Sequence, residues 1–218
     1  VMRRCAAMLA CVGLAAAPRG AAANGRFPSA NLFIAGPGPR SDVMVLRATI
    51  GVVVSRDRGA SWTWICEESM NNAGMVDPML AVARDAEVVS TLADMGLSRS
   101  RARYCDWTTP ATTAAARFND ITVDATGAAM VASISTYGRA DGLAYSRDGG
   151  QTWTVGATRP GFFAETVDVA PSNPSRVYFT GYLTGSVPIL LRSDDGGATL
   201  REVTRDFPMD GGALIAAV

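Results

Sequence analysis

Three aspartates at matched positions are the residues of this chain whose type and spacing could do chemistry. Each belongs to an octapeptide of the form S-x-D-x-G-x-x-W, of which the third copy keeps everything except the tryptophan. Carboxylates can act as general acids and bases or bind calcium. Each aspartate recurs once per repeat, however, and catalytic groups do not recur in this way. We therefore interpret the octapeptide as a structural element, formed by Ser55, Asp57, Gly59, Trp62, Ser146, Asp148, Gly150, Trp153, Ser193, Asp195 and Gly197.

The residue types of the octapeptide are those of a tight turn between two strands. Its Asp and Ser side chains can accept hydrogen bonds from backbone N–H groups of the turn. Its Gly supplies a backbone conformation that other residues rarely adopt. Its Trp is expected to pack a large apolar face between neighbouring sheets.

A fourth, degenerate copy is predicted between the first two. Aligning Ser98 with Ser55 places Trp107 on Trp64 and Cys105 on Trp62. The copies then begin at residues 55, 98, 146 and 193, and this regular interval is typical of the four-stranded blade of a propeller, which takes about 40–50 residues.

The sequence thus predicts an all-β fold, a β-propeller of four-stranded antiparallel blades. The predicted blades cover about 24–70, 71–115, 116–160 and 161–206, and residues 207–218 form either the first strand of a further blade or the strand that closes the ring. We expect a piece of a larger propeller, and a closed four-bladed ring is the alternative.

Composition narrows the range of functions. The 218 residues carry 20 basic and 20 acidic side chains with no basic run, which argues against a nucleic-acid partner. Histidine is absent, which removes the commonest general base and the commonest metal ligand. We therefore predict neither a metal site nor a cofactor.

The first 23 residues are typical of a secretory signal peptide. Arg3 and Arg4 precede a short apolar run, and Ala21-Ala22-Ala23 supplies a small-residue cleavage site. The predicted mature chain, 24–218, has no transmembrane segment and is exported to a periplasmic, extracellular or cell-surface location. Cys66 and Cys105 remain after cleavage, and an exported pair favours a disulfide, with two buried free thiols as the alternative.

The repeated octapeptide resembles the Asp-box, or bacterial neuraminidase repeat (BNR), of sialidases, sortilin-type receptors and a photosystem II assembly factor. The resemblance covers the chain from about Ala30 onward, and the fourth repeat, V-A-P-S-N-P-S-R-V-Y-F-T-G before S-D-D-G-G-A-T, is especially similar to the non-catalytic members. It implies the propeller fold and leaves function open, because the same fold serves enzymes and binding proteins.

A sialidase resemblance implies three arginines, a Tyr–Glu nucleophile pair and an acid/base Asp. Gly25-Arg26-Phe27-Pro28 only partly matches the family's motif ahead of the first box, and a strand entry fixed by Pro28 explains it more simply. Further candidates for these catalytic roles come from the predicted inner strands and their loops, and no spacing selects a set among them: Arg47, Asp77, Arg117, Asp120, Tyr137, Glu165 and Tyr182. Asp120 and Asp168 are expected to close turns at strand edges.

A binding or scaffold module is the function that the sequence favours. A rigid propeller with variable loops at one face suits recognition of a protein or a glycan. The candidate contact segments are the turns Gly36–Asp42, Tyr137–Asp141 and Gly181–Pro188. An exo-acting, sialidase-like glycosidase and a structural cell-envelope protein are the alternatives.

Overall fold

The computed structural model describes residues 32–38, 42–48, 51–72, 77–92, 96–104, 106–114, 116–135 and 139–204. The predicted signal peptide, the Gly25–Pro28 motif, Tyr137, Cys105 and the strand expected within 207–218 lie outside these residues. Cys66, which is described, carries a thiol that donates a hydrogen bond to a carboxylate oxygen of Glu68. The Cys66–Cys105 disulfide therefore stays a prediction.

The described residues form four antiparallel sheets of four strands each, arranged as a four-bladed β-propeller. Within each sheet, the strands follow one another in chain order. Blade 1 contains β1 (Leu32–Ala35), β2 (Met44–Ala48), β3 (Gly51–Ser55) and β4 (Thr63–Cys66); blade 2 contains β5 (Leu80–Val82), β6 (Val88–Thr91), β7 (Leu97–Arg101) and β8 (Asp106–Thr108); blade 3 contains β9 (Arg117–Val123), β10 (Met130–Ser135), β11 (Asp141–Ser146) and β12 (Thr154–Arg159); blade 4 contains β13 (Phe162–Val169), β14 (Val177–Leu183), β15 (Val187–Ser193) and β16 (Arg201–Glu202).

Helical structure within the described residues is confined to single turns. Among the described residues, these are 3-10 helices at Glu67–Met70, Ala102–Tyr104 and Ala111–Thr113. No helix in the described part of the chain is long and apolar enough to cross a membrane. The predicted all-β propeller of four-stranded blades is confirmed.

The core lies between consecutive blades, because each antiparallel sheet buries side chains on both of its faces. One apolar cluster joins blades 1 and 2, a second joins blades 2 and 3, and a third joins blades 3 and 4. The octapeptide's last residue contributes to these clusters: Trp153 packs edge-to-face on Phe118, with ring centroids 6.1 Å apart, and Leu200 takes the same place in blade 4.

Trp62 is an exception to the predicted packing. Its side chain is 43% exposed, whereas Trp153 is 5% exposed. Trp153 packs its blade against the preceding one, and among the described residues no sheet precedes blade 1. The expectation that every box tryptophan packs between two sheets is therefore wrong for Trp62.

The second octapeptide begins at Ser100, two residues later than the alignment on Ser98 placed it. The other boxes carry two successive residues with positive φ, as at Arg58 and Gly59, and blade 2 has this pair at Arg103 (61°) and Tyr104 (72°). The indole Nε1 of Trp107 donates to the Tyr104 carbonyl at 3.1 Å, as Trp62 does to Gly59. Trp107 is thus the box tryptophan of blade 2, Tyr104 replaces the glycine, and Ala102 replaces the aspartate.

The missing aspartate of blade 2 is replaced by a carboxylate from another turn. In the box of blade 1, Ser55 Oγ donates to Asp57 Oδ1 at 2.8 Å. In blade 2, Ser100 Oγ donates instead to Glu87, whose other oxygen accepts the N–H of Arg103 at 3.3 Å. Glu87 therefore holds the degenerate turn of blade 2.

Candidate functional site

A cavity of about 490 Å³ opens at the end of the blades that faces away from the octapeptide turns. It is lined by the first residues of β9 and β13, the last residues of β6 and β10, and residues 77–79, which lead into β5. Strand β11 shows that the cavity and the boxes lie at opposite ends of the blade, because it begins at Asp141 in the cavity and ends at Ser146 in the box. Five steps along a strand separate the two ends by roughly 16 Å.

Four of the sequence-predicted candidates meet in this cavity: Asp77, Arg117, Asp120 and Glu165. Arg47 lies behind it, buried, with Nη1 donating to the Pro78 carbonyl at 3.0 Å. Tyr182 lines a separate, shallower cavity of about 310 Å³ with Phe163.

The contact segment Gly181–Pro188 is a hairpin rather than a long loop. Its first three residues belong to β14 and its last two to β15, and Ser186 N–H closes the turn on the Leu183 carbonyl at 3.0 Å. Of the other two segments, residues 39–41 and 137–138 lie outside the described residues.

A β-bulge in the inner strand of blade 4 shapes the cavity floor. The pairing of β13 with β14 shifts register between Ala164 and Val167. Within β13 the exposed residues Phe163 and Glu165 alternate with the buried Phe162 and Ala164, so their side chains share the cavity-lining face. A bulge re-aims side chains in this way and leaves backbone groups without ladder partners.

Blade 3 supplies the missing partners for the bulge. Asp141 Oδ2 accepts the Ala164 N–H at 2.9 Å, and Asp120 Oδ2 accepts the Val167 N–H at 2.9 Å. Asn119 Nδ2 donates to the Ala164 carbonyl at 2.7 Å, and Ser133 Oγ donates to the Glu165 carbonyl at 3.0 Å. We call these four side chains, Asn119, Asp120, Ser133 and Asp141, the bulge clamp.

Asp120 is a clamp residue whose ionisation is perturbed by burial. Burial raises its pKa to about 6, and the nearby charge of Asp168 adds to the rise. The N–H groups of Val167 and Ile121 oppose it by bonding the carboxylate. Asp120 therefore joins two blades and does not merely close a turn at a strand edge.

Asp168 also bridges blades 3 and 4. Its Oδ1 accepts a hydrogen bond from Thr122 Oγ1 at 3.1 Å and from the N–H of Val169 at 2.9 Å. The expectation of a local turn is incomplete here too, because one of the two donors comes from the neighbouring blade.

The carboxylate of each octapeptide aspartate accepts hydrogen bonds from residues of its own turn. Asp57 Oδ1 accepts the Ser61 N–H at 2.8 Å, and hydrogen bonds from the Ser61 hydroxyl and N–H lower its pKa to about 2. The same bonds from Thr199 lower the pKa of Asp195 to about 2. At Asp148 burial raises the pKa, but the bonds from Thr152 and Ser146 outweigh it and the net direction is downward.

These hydrogen bonds show that each octapeptide aspartate stabilises its own turn. No group of three or more His, Cys, Asp or Glu residues within the described ranges could hold a metal ion.

Asn119, Asp141 and Phe163 also line the cavity, although no motif in the sequence marks them as candidates. In the sequence, Asp141 is only the end of a contact segment. Its bond to Ala164 joins residues 23 positions apart on different blades, and no local spacing signals such a contact.

Comparison with known proteins agrees with this architecture. The family described as BNR/Asp-box repeat matches residues 144–155, which is the box of blade 3. No curated protein matches the sequence significantly.

Several solved structures share the fold at low sequence identity. The GH74 xyloglucanase from Xanthomonas campestris superposes with a TM-score of 0.54 at 18% identity, over 77% of this chain and 29% of that one. YCF48 from Cyanidioschyzon merolae superposes with a TM-score of 0.51 at 17% identity, over 81% of this chain and 56% of that one. A chain of the nidogen/laminin complex superposes with a TM-score of 0.54 at 11% identity, over 79% of this chain and 65% of that one. The chain thus spans under a third of the xyloglucanase and little more than half of YCF48.

Proposed function

Because the chain is a β-propeller that carries BNR/Asp-box repeats, we propose that it is an exported binding module that recognises a glycan or an exposed protein segment. The ligand binds in the cavity at the end of the blades opposite the boxes. The similar structures include enzymes as well as proteins described in complex with a peptide or a protein, so the fold alone does not choose between these functions.

The bulge clamp is the observation that carries this proposal. Four side chains of blade 3 bond two N–H groups and two carbonyls of the bulge, which fixes the backbone that bears Phe163 and Glu165. A contact surface that is rigid before binding loses little conformational entropy when a ligand arrives. This arrangement suits recognition by preorganised side chains.

The exposed side chains around the cavity define the ligand's chemistry. Glu165 and Arg117 present opposite charges, and Phe163 presents an aromatic face that is 59% exposed. Such a set fits a ligand with hydroxyl or amide groups and one apolar face. Both a sugar chain and an extended peptide meet this description.

A glycosidase is the second candidate, because the same cavity contains several carboxylates. The raised pKa of Asp120 lies in the range of a general acid. However, both of its oxygens accept backbone N–H groups, and Asp141 bonds the bulge as well. In a hydrolase, Asp77 and Glu165 would therefore be the acid pair to test.

Binding screens on glycan and peptide arrays, followed by calorimetry, test the proposal. We expect Glu165→Gln and Arg117→Gln to weaken binding at least tenfold without lowering the melting temperature. Glu202→Gln, which lies on the outermost strand of blade 4, is the matched control and should bind normally. A ligand that binds all variants equally would place recognition elsewhere.

Turnover and localisation separate the alternatives. Hydrolysis of a fluorogenic glycoside that Glu165→Gln abolishes would favour the glycosidase, and retention on the cell envelope without any ligand would favour a structural protein. Export itself is tested by sequencing the N-terminus of the secreted protein, which we expect to begin at Asn24.

A further inference from the structure

The inner strands of blades 3 and 4 both bulge where they border the cavity. In β9, Asn119 lies between two paired residues and has no partner of its own on β10. In β13, Glu165 and Thr166 lie between the paired residues Ala164 and Val167. Residues of both bulges line the cavity. Bulges are frequent next to functional sites, where they re-aim side chains.

Consecutive residues of the first bulge hold the two ends of the second. Asn119 Nδ2 donates to the Ala164 carbonyl at 2.7 Å, and Asp120 Oδ2 accepts the Val167 N–H at 2.9 Å. Glu165, which lines the cavity, lies between the two bonded residues of β13. The position of its side chain therefore depends on both of these bonds.

The strength of the bond between Asp120 and Val167 depends on the ionisation of Asp120. Its other oxygen, Oδ1, accepts the Ile121 N–H at 2.8 Å, so both carboxylate oxygens accept backbone N–H groups. Hydrogen bonds to an ionised acceptor are shorter and roughly twice as strong as neutral ones. Protonation therefore weakens both bonds, and one of the two N–H groups then faces a hydroxyl.

The surroundings of Asp120 oppose its ionisation. The side chain is buried, and the strands β5, β6 and β10 that pack on β9 contain no charged residue. Arg47 lies behind the cavity and bonds the Pro78 carbonyl. Within the described residues, the charged groups around Asp120 are four acids and one arginine: Glu165 and Asp168 of β13, Asp141 of β11, Asp77 ahead of β5, and Arg117 of β9 itself.

The resulting ionisation lies at mildly acidic pH. Burial raises the pKa of Asp120 to about 6 against the bonds from Val167 and Ile121, and the charge of Asp168 adds to the rise. Because burial outweighs the two bonds, the folded protein accepts the protonated form readily. The local bond to blade 4 is nevertheless weaker in that form.

The bulge thus has a tight state with Asp120 ionised and a looser state with Asp120 protonated. We propose that Asp120 is an acid-sensitive latch, whose protonation loosens the bulge and lowers the affinity of the cavity for its ligand. This regulation rests on the proposed binding function, because the cavity is the site that the latch controls. A ligand bound at neutral pH is released as the surroundings become acidic.

NMR titration of the isotope-labelled full chain between pH 4.5 and 7.5 tests the latch without a ligand. We expect the amides of Ile121 and Val167 and the side-chain carboxyl carbon of Asp120 to share one midpoint near 6. The Ser61 amide is the internal control and should not move, because hydrogen bonds from Ser61 lower the pKa of its acceptor Asp57 to about 2.

Asp120→Asn is the matched variant, because its side chain cannot ionise. At pH 7.5 its Val167 amide should lie near the wild-type position at pH 4.5, and it should not titrate with a midpoint near 6. Glu202→Gln, on the outermost strand of blade 4, should titrate like the wild type. The carboxyl signal of Asp120 in the wild type decides the question even if Asp120→Asn does not fold.

Glycan and peptide arrays probed at pH 7.5 and 5.0 connect the latch to binding. Wild-type signals should fall at least threefold at pH 5.0, whereas Asp120→Asn should give similarly weak signals at both values. Arrays without any signal would contradict the proposed function alone, since the NMR titration still decides the latch. Bulge amides that do not follow the Asp120 carboxyl, or wild-type array signals that are independent of pH, would overturn the latch.

Discussion

The carboxylate of Asp120 in blade 3 accepts the backbone N–H of Val167 in blade 4, with 2.9 Å between the two atoms. This bond fixes one end of the bulge whose other end is held by Asp141. Because this buried acid has a raised pKa and bonds the neighbouring blade, the stability of the contact between blades 3 and 4 should depend on pH.

Asp120 is expected to make stability depend on pH. Its folded-state pKa of about 6 lies above the ordinary value of 3.8, so its contribution is fully present below that ordinary value and is lost as the pH rises through 6. A shift of this size corresponds to about 3 kcal/mol. The free energy of unfolding of the wild type minus that of Asp120→Asn should therefore increase as the pH falls from 7 to 4, as measured by urea denaturation. Parallel pH curves for the two proteins would show that burial does not perturb this acid.

The bulge clamp is expected to act as one unit. Asn119 and Asp141 bind the carbonyl and the N–H of the same residue, Ala164. In a double-mutant cycle, Asn119→Ala and Asp141→Ala should therefore be coupled by about 0.5–3 kcal/mol. The pair Asn119→Ala and Glu202→Ala, on different blades, should be additive. Additivity in both cycles would mean that the bulge keeps its conformation without the clamp.

Glu87 is expected to stabilise the degenerate turn of blade 2. Glu87→Ala leaves Ser100 and the Arg103 N–H without their carboxylate, and the loss should cost about 1–2 kcal/mol. Introducing Ala102→Asp in the same protein restores the usual box acid and should recover part of the loss. Glu202→Ala, which removes an exposed ion pair with Arg159, should cost under about 1 kcal/mol. Thermal and urea unfolding measure all three, and a failed rescue would mean that the turn needs more than an acid.

The box tryptophans are expected to differ strongly in their contribution to stability. Trp153→Ala empties a buried site against Phe118 and should cost about 3–5 kcal/mol. Trp62→Ala removes a side chain that is 43% exposed, so its cost at 1 µM protein should be clearly smaller. Equal costs in urea titrations would imply that Trp62 is covered in solution.

The fold could be predicted from the sequence because its signal is local. Asp57, Asp148 and Asp195 each accept hydrogen bonds within their own octapeptide, so the sequence of the octapeptide alone predicts the turn. The register of the second copy could not be predicted, because Tyr104 adopts the positive φ that glycine usually supplies. With neither Asp nor Gly in the box, Trp107 was matched to Trp64 when it is the equivalent of Trp62.

The candidate site was only partly predictable, because its important contacts are not local. Asp77, Arg117, Asp120 and Glu165 could be named as candidates from inner strands and loops, but no spacing showed that they meet in one cavity. The bond from Asn119 to Ala164 spans 45 residues, and that from Val167 to Asp120 spans 47. Contacts between residues so far apart in the sequence form because the blades pack on one another, and the periodicity of the sequence does not indicate them.

The separation of the cavity from the boxes has a practical consequence for engineering. Phe163, Glu165 and Arg117 lie at one rim of the propeller, a full strand length away from the turns that the boxes hold. A randomised library at these three codons should therefore retain a high proportion of folded members.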